Sequence, residues 1–478
     1  MATFLASIII LIIGYFTYGK IVEKIFGPTD KRDTPANSIN DGVDYVPMHK
    51  QRNAMIQLLN IAGTGPIFGP IMGALYGPVA FLWIVIGSIF AGAVHDYLTG
   101  MISIRNNGAH IPELAGKFLG KFSRHLVNAF SLLLLVLVGT VFITTPASLI
   151  DILLDGKVAF GVILGAIFLY YFLSTILPVN QIIGRIYPVL GAILLIGTVS
   201  IGISLVFSDY TIPELTLQNL HPENLPVFPL LFFTITCGAL SGFHATQSPI
   251  ISRTTQKESQ GRYIFYGMMI AEGIIAMIWA AAAMSIFDGR TLSEVIATGT
   301  ASAAVNEISV TLLGAIAGTV AVLGVIVLPI TSGDTAFRAA RSIVADYIGL
   351  GQKKVFNRLI IALPLFAIGY ILTNIDFNIL WRYFSWANQA TSVIALWIAT
   401  MYLIVKGKNY LISLIPAIFM TYMVFVYILN AKIGFNLDLN LSFIVGIFLT
   451  AGLVYLFFNK AGKNKAGKIE VDMIDAAS

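Results

Sequence analysis

The sequence predicts an all-α protein that crosses a membrane many times, on the basis of three observations. Apolar residues make up 57% of its 478 positions and charged residues only 11%, against about 25% charged residues in soluble proteins. Apolar runs of about 20 residues, long enough to span the hydrocarbon core, recur along the chain. Lys and Arg are distributed very unequally between alternate loops, which is the pattern that sets orientation in membrane proteins.

About thirteen segments are apolar enough to be predicted as transmembrane helices. They lie near 3–19, 53–77, 78–104, 125–147, 158–177, 186–207, 227–251, 263–287, 308–331, 359–374, 381–405, 410–430 and 441–458. The first is interpreted as a retained helix rather than a secretory signal, because its Lys residues follow the apolar stretch. The only cysteine, Cys237, lies inside an apolar run, so we expect neither a disulfide framework nor a zinc motif.

The positive charges predict the orientation of these spans. With the N-terminus outside, 25 of the 29 Lys and Arg residues fall in inner loops or in the tail 459–478. The four on the outer side are Lys157, Arg290, Arg382 and Lys432. This asymmetry predicts a multi-pass protein of the inner (cytoplasmic) membrane with its C-terminus inside. The net charge of +5 therefore needs no nucleic-acid partner, and the lipid bilayer is the expected environment.

The span 53–77 contains a run that opposes helix formation. "NIAGTGPIFGPIMGALYGP", which begins at Asn60, has five glycines and three prolines in nineteen residues, so a helix break is predicted near mid-membrane. Freed backbone groups at that depth persist where they line a cavity, and there they can bind an ion or a substrate. The candidate binding residues are Asn60, Gly63, Thr64, Gly65 and Gly69. Close helix packing is the alternative use of these glycines.

A second interruption lies in the span 227–251. "TCGALSGFHATQSP" places glycines, hydroxyls, a histidine and a proline near mid-membrane. The candidate binding residues are Ser241, Gly242, His244, Thr246, Gln247 and Ser248. An intramembrane histidine is a functional candidate by default, although a structural histidine bonded between helices is the alternative.

The spacing of the two breaks predicts an inverted repeat. Each broken span is followed by four uninterrupted ones, which gives two five-helix units at 53–207 and 227–405, joined by an outer connection at 208–226. The first unit starts inside and the second starts outside, so the units are inverted, and paired breaks of this kind indicate a secondary transporter's site. Segments 1–52 and 406–478 then add one N-terminal helix with an inner linker, and two C-terminal helices with a tail.

Several long motifs also match a known family. The segments "AGTGPIFGPIMGALYG", "LWIVIGSIFAGAVHDYLTGMISIRNNG", "GALSGFHATQSPIISRTT", "PITSGDTAFRAAR" and "WRYFSWANQATSVIALW" together resemble the carbon starvation protein A (CstA) family over roughly residues 40–405. The resemblance implies the LeuT-type five-plus-five fold of the amino acid, polyamine and cation transporter superfamily. It also implies nutrient uptake during carbon starvation, with short peptides or pyruvate as substrates. The chain lacks much of the C-terminal extension of longer members, which leaves the substrate open.

Sodium coupling has one candidate site. In LeuT-type folds a sodium ion lies between the broken first helix and hydroxyls of the eighth, which implies a possible Na⁺ at Gly65, Thr331 and Ser332. Oxygen ligands suit such a hard cation. Hydroxyls that bond their own helix are the alternative. Asp334 would complete the site or pair with Arg338 four residues later.

Proton coupling has other candidates. His95 and Asp96 lie in the span 78–104 and Glu272 lies well inside the span 263–287, where a carboxylate must be paired, protonated or next to water. Asp96 has a structural alternative as an acceptor for His95. Asn388 and Gln389, in "WANQ", are candidates for gating or substrate binding, and polar contacts between helices are their commoner use.

Other function classes are disfavoured by the motifs that the chain lacks. There is no H-E-x-x-H of a zinc protease and no G-x-x-x-x-G-K-[ST] of a nucleotide-driven pump, so we predict a protein that is not an enzyme. No cofactor is expected besides the coupling Na⁺ or H⁺. The prediction is a cation- or proton-coupled transporter, and a membrane nutrient sensor or a channel is the alternative.

Overall fold

Helices make up the architecture of the described part of the chain. The computed structural model describes residues 1–42, 44–176, 179–466 and 472, and within these ranges there is no β-strand. An isolated bridge joins Met48 to Thr255. Residue 177 of the predicted span 158–177, and residues 467–471 and 473–478 of the predicted tail, lie outside the described residues.

Nineteen α-helices follow one another in the described residues. The first eleven are α1 (Ala2–Phe16), α2 (Tyr18–Phe26), α3 (Pro35–Ser38), α4 (Lys50–Ala62), α5 (Gly65–Gly73), α6 (Val79–Ile86), α7 (Ala93–Arg105), α8 (Ile111–Leu119), α9 (Lys121–Leu153), α10 (Phe160–Ile176) and α11 (Val179–Phe207). The rest are α12 (Val227–Thr234), α13 (Gly242–Ser252), α14 (Gly267–Ile286), α15 (Gly289–Ile348), α16 (Val355–Leu372), α17 (Phe377–Val405), α18 (Leu411–Asn430) and α19 (Leu439–Ala466). Two π-helical turns, Gly87–Gly92 and Arg262–Tyr266, lead into α7 and α14.

The multi-pass helical prediction is confirmed, and the exact number of spans stays a prediction. Within the described residues, nine helices are long and apolar enough to cross a membrane, or ten if the bent pair α4 and α5 counts as one span. The predicted spans 158–177 and 186–207 correspond to the shorter apolar helices Phe160–Ile176 and Gly191–Phe207. The span 227–251 is divided between two short helices, α12 and α13.

The first predicted break is present between α4 and α5. The two helices are bent by 45°, and Gly63 between them has φ 48°, a conformation that favours glycine. A Cβ at Gly63 would lie 2.3 Å from Phe142 Cζ, so both the backbone and the packing require glycine. The first break is therefore the segment Gly63–Thr64.

The second predicted break is longer. α12 ends at Thr234 and α13 begins at Gly242, so residues 235–241 connect them without forming a helix. We call residues 235–241 the second break. Gly238 within it has φ 85°, and a Cβ there would lie 2.4 Å from Ala276 Cβ of α14. The second break is thus packed closely against α14.

A stripe of glycines on α5, the helix that follows the first break, packs against the end of α12 and the second break. The contacts are Gly65 with Cys237, Gly69 with Thr234, and Gly73 with Ile235. A Cβ on Gly65 would lie only 2.3 Å from Cys237 Sγ, and one on Gly69 only 2.9 Å from the Thr234 carbonyl oxygen. A spacing of four residues puts these glycines on one helix face. Gly65 and Gly69 thus pack closely against a neighbouring segment, which is the alternative to a binding role given above.

The long helix α15 extends well beyond the predicted span 308–331. It runs from Gly289 to Ile348, with kinks at Thr300 (φ 59°) and Gly314 (φ 77°). Thr331 and Ser332 therefore lie in the interior of a helix, whereas the sequence placed them at the end of a span. Both residues are almost fully buried, so they lie in the helix-packed core.

Candidate functional site

A chain of ionisable side chains crosses the core between α7, α13 and α14. His95 Nδ1 hydrogen-bonds to Asp96 Oδ1 at 2.8 Å, and the other carboxylate oxygen of Asp96 hydrogen-bonds to His244 Nδ1 at 2.9 Å. Each of these side chains is at most 1% exposed. One carboxylate thus bridges two imidazoles that the sequence places on different spans.

Glu272 extends this chain to the second break. Its Oε2 lies 3.4 Å from His244 Nε2, within ion-pairing distance but without the geometry of a hydrogen bond. Its Oε1 accepts a hydrogen bond from the backbone N–H of Gly238 at 3.1 Å. We call the four side chains His95, Asp96, His244 and Glu272 the ion chain.

The helices that carry the ion chain are held together by small residues. Ser88, in the π-helical turn before α7, donates to the Gly238 carbonyl at 2.7 Å. A Cβ on Gly92, at the end of the same turn, would lie 2.2 Å from the Ala239 carbonyl oxygen. π-Helical turns frequently occur at functional sites, and this one sets the start of α7 against the second break.

The composition of the ion chain suits proton binding. Two carboxylates and two imidazoles are almost fully buried in the core, where uncompensated charge is strongly disfavoured. A proton gained at one member changes the charge that its neighbours face, because each is in contact with the next. The arrangement can therefore hold and pass protons between α7 and the second break.

A group of possible metal ligands overlaps the ion chain. Cys237 Sγ, a ring nitrogen of His244 and a carboxylate oxygen of Glu272 lie within 4.8 Å of one another. Among the described residues no fourth His, Cys, Asp or Glu joins this group, whereas closed structural zinc sites have four protein ligands. His244 Nδ1 is hydrogen-bonded to Asp96 at 2.9 Å, which leaves Nε2 as the nitrogen that His244 could offer to this group.

Asn388 caps α13 from a neighbouring helix. Its Oδ1 accepts hydrogen bonds from the backbone N–H of Phe243 at 2.7 Å and from Ser241 Oγ at 3.1 Å. The first backbone N–H groups of a helix lack intrahelical acceptors, and here α17 supplies one. A Cβ on Gly242 would lie 2.1 Å from the Asn388 carbonyl oxygen, so the two helices touch at this point.

The other predicted polar residues near the second break have protein partners. Gln389 donates to the Phe232 carbonyl at 2.9 Å, a contact between helices. Thr246 and Ser248 each donate to a carbonyl of their own helix, at 2.6 and 3.0 Å. Gln247 Nε2 donates to Thr246 Oγ1, while its Oε1 is buried without a hydrogen-bond partner among the described residues.

Unpartnered polar groups collect beside the first break. Both polar atoms of the Asn60 side chain and the Thr64 hydroxyl are buried, with no hydrogen-bond partner among the described residues. The same holds for both polar atoms of Gln57, one turn before Asn60 on α4. Buried polar groups without partners are costly, so these three side chains are the strongest candidates to face a polar substrate or water.

Gln57 was not predicted from the sequence, because it lies outside the predicted break. The signal was available: Gln57 precedes Asn60 by three residues, a spacing that puts both on one helix face. An amide in a membrane span, one turn from a predicted break, indicates the same site.

The residues predicted for sodium coupling contact three different parts of the protein. Ser332 Oγ donates to the Leu59 carbonyl of α4 at 2.7 Å, so α15 does contact the helix before the first break. Thr331 Oγ1 donates to the Leu328 carbonyl of its own helix at 2.7 Å. Gly65 faces Cys237.

Arg338, the predicted partner of Asp334, contacts another helix. It donates to the Ser174 carbonyl of α10 at 2.9 Å and lies 3.3 Å from the Ser174 hydroxyl. This contact ties the C-terminal part of α15 to α10, and Asp334, four residues before Arg338, is also buried.

The family of the chain follows from comparison with known proteins. The sequence profile of carbon starvation protein CstA matches residues 1–152, 154–309 and 280–426. The chain belongs to the CstA family. The resemblance seen in the sequence motifs is thereby confirmed.

Relatives of this CstA-family protein include named transporters. It is 30% identical over 344 residues to the peptide transporter CstA of Campylobacter jejuni, covering 57% of the chain and 48% of that protein. It is 29% identical over 354 residues to the pyruvate/proton symporter BtsT of Escherichia coli, covering 59% and 49%. The chain thus spans about half the length of these transporters.

A relative of higher identity has no transport name. An uncharacterized membrane protein of Haemophilus influenzae is 48% identical over 355 residues, which cover 63% of the chain and 95% of that protein.

Solved structures give the fold. A crystal structure of the Eremococcus coleocola manganese transporter aligns with a TM-score of 0.56 over 89% of this CstA-family protein and 99% of that chain, at 14% identity. At this identity the likeness concerns the arrangement of helices alone.

Proposed function

We propose that this CstA-family protein is a secondary active transporter that takes up a small nutrient, pyruvate or a short peptide, together with protons. The two breaks line a central site, and the protein alternates between outward-open and inward-open states. Transport involves no chemical reaction and no cofactor besides the coupling ion. Uptake of such nutrients fits a role in carbon starvation, after which the family is named.

The observation that carries this proposal is the ion chain. It connects His95 of α7, through Asp96 and His244, to Glu272, which holds the second break through the Gly238 N–H. A change of protonation at Glu272 or His244 acts directly on the broken segment. Intramembrane relays of Asp, Glu and His are the usual proton paths of transporters.

The proposal includes the predicted topology. Units 53–207 and 227–405 form a LeuT-type inverted repeat, with 208–226 between them and with 1–52 and 406–478 outside the core. The protein lies in the inner (cytoplasmic) membrane with its N-terminus outside and its C-terminus inside. Support comes from the two breaks, the distribution of Lys and Arg, and the helix arrangement shared with a solved transporter.

The substrate is expected beside the first break. Gln57, Asn60 and Thr64 offer buried polar atoms that lack protein partners among the described residues, and a carboxylate or peptide group can satisfy them. The relatives named for peptide transport and for pyruvate/proton symport support these two substrate classes. Coupling by sodium at Ser332 and Thr331 is the alternative to proton coupling, and the uptake experiment below distinguishes the two.

The test is uptake by the purified protein in liposomes. Labelled pyruvate and labelled dialanine are supplied under an imposed pH gradient or an imposed sodium gradient. We expect accumulation of one of them with the pH gradient alone and its loss in the presence of a protonophore. Glu272→Gln is expected to abolish accumulation, while exchange of labelled for unlabelled substrate continues, because exchange needs no net proton movement.

The matched control is Glu294→Gln, which alters an exposed acid of α15 and is expected to leave accumulation unchanged. Accumulation driven by sodium alone would replace proton coupling by the sodium alternative. Flux that equilibrates but never accumulates indicates a channel. Binding without any flux indicates a sensor and overturns the proposal.

A further inference from the structure

A cleft of about 590 Å³ opens beside the two broken helices. Met72 and Leu75 line it from the segment after the first break, and Thr234, the last residue of α12, lines it where the second break begins. Ser385 of α17 also lines the cleft, one helical turn before the capping residue Asn388. The cleft therefore leads directly to the segments that form the proposed central site.

The charged residues of the cleft are mainly positive. Arg382 and Lys432 line it together with one acid, Glu223, and one imidazole, His221. Burial lowers the pKa of His221, against the opposing effect of Glu223, so its imidazole is neutral near pH 7. The two fixed cations exceed the single carboxylate, and the cleft favours an anion.

The walls of the cleft suit a small organic anion. Tyr427 stacks on Phe233 with ring centroids 3.9 Å apart, and Trp381 lines the same cavity. Ser385 is only 1% exposed, and its hydroxyl has no hydrogen-bond partner among the described residues. A buried free hydroxyl on the wall of a cleft is available to a ligand.

We infer that this cleft is the entry site for substrate and that it selects compounds bearing a carboxylate, through Arg382 and Lys432 at its mouth and Ser385 deeper inside. Cations at a solvent-open mouth raise the rate of anion capture more than the strength of final binding. The carboxylate belongs either to a small keto acid such as pyruvate or to the C-terminus of a short peptide. The inference deepens the proposed function and rests on it.

The experiment compares charged and uncharged probes in the liposome uptake assay at low salt. Arg382→Gln and Lys432→Gln are each expected to raise the KM for the transported probe about three- to tenfold, with little change in kcat. The control is Lys157→Gln, a cation predicted on the same face but paired with Asp155 and outside the cleft. Ser385→Ala tests the inner wall of the cleft and is also expected to raise the KM.

Competition identifies the recognised group. Methyl pyruvate and the amide of dialanine lack the carboxylate, and we expect neither to compete with its charged parent in the wild-type protein. Raised salt is expected to increase the wild-type KM and to affect the double variant R382Q/K432Q less. Preference for pyruvate or for dialanine tells which source of carboxylate is used, and either supports the inference.

The inference fails if the Arg382 and Lys432 variants behave like Lys157→Gln, or if the uncharged probes compete as well as the charged ones. Failure of the transport proposal is distinguishable, because the wild-type protein would then accumulate neither probe. In that case equilibrium binding of pyruvate and dialanine is measured. Binding weakened by Arg382→Gln retains the carboxylate site, whereas the absence of binding to both probes overturns it.

Discussion

Glu272 holds Gly238: the carboxylate of α14 accepts the backbone N–H of the second break at 3.1 Å, with the acid fully buried. The opposite oxygen of the same carboxylate faces His244 at 3.4 Å. One side chain thus fixes the backbone of a broken helix and ends a chain of ionisable groups. In the proposed mechanism, protonation of Glu272 weakens this hydrogen bond and so links proton binding to movement of the broken helix.

Replacing Gly238 is expected to destabilise the protein. In Gly238→Ala the new Cβ meets Ala276 Cβ at 2.4 Å in a backbone with φ 85°, and overpacking of this kind costs about 1–3 kcal/mol. Thermal unfolding of the purified protein in detergent measures the effect. Ala276→Gly in the same background should restore part of the loss, and Gly161→Ala, where nothing lies within 4 Å, should cause none. An unchanged unfolding temperature in Gly238→Ala would contradict the described packing.

Asp96 is expected to be needed for proton-driven accumulation. Asp96→Asn keeps the shape of the side chain but removes the charge between His95 and His244, which lie 2.8 and 2.9 Å away. Accumulation under a pH gradient should be lost, while substrate exchange at equal pH continues. Asp151→Asn, an acid of α9 outside the ion chain, is the control. If Asp96→Asn accumulates substrate normally, Asp96 has only the structural role.

Variants of Ser332 and Thr335 compare the loss of a hydrogen bond between two helices with the loss of one within a helix. Ser332→Ala removes the hydrogen bond from α15 to the Leu59 carbonyl of α4, and we expect a loss of about 1 kcal/mol of stability. Thr335 Oγ1 bonds the Ser332 carbonyl of its own helix at 2.9 Å, so Thr335→Val should change little. Unfolding temperatures of both variants are compared with and without sodium. Stabilisation of the wild type by sodium, lost in Ser332→Ala, would favour the sodium alternative.

Acid sensitivity is predicted at His110, in the connection before α8. Burial and then the charge of Arg253 hold the pKa of His110 well below its ordinary value of 6.5. The unfolded chain therefore binds the proton first, and this contribution to stability is complete above pH 6.5 and is lost as the pH falls below it. We expect the unfolding temperature to fall between about pH 7.5 and about pH 5.5, and to fall less in His110→Gln. An equal decrease in both proteins would rule out His110 as a source.

The sequence predicts the positions of the breaks well, because their cause is local. Gly63 and Gly238 adopt backbone conformations that favour glycine, and a cluster of glycine and proline within an apolar span shows this directly. The ends of helices are harder to predict from the sequence. A hydropathy window detects only the apolar part of α15, so the predicted span 308–331 stops short of Ile348.

Contacts between distant segments could not be predicted in the same way. His95, Asp96, His244 and Glu272 were each recognised as intramembrane ionisable residues, but nothing in their spacing tells which helices are neighbours. Their connection depends on how α7, α13 and α14 pack, which is a property of the whole fold. For the same reason the partner of Asn388 could not be predicted. Its role as a helix cap becomes clear only when the position of α13 next to α17 is known.

The glycine stripe on α5 has a consequence for sequence divergence. Positions 65 and 237 share one small space, because a Cβ on Gly65 would meet the Cys237 side chain at 2.2 Å. A larger residue at either position is acceptable only with a smaller one at the other. Among family members these two positions should therefore change in a correlated manner. A substitution at the start of α5 then predicts a compensating one in the second break.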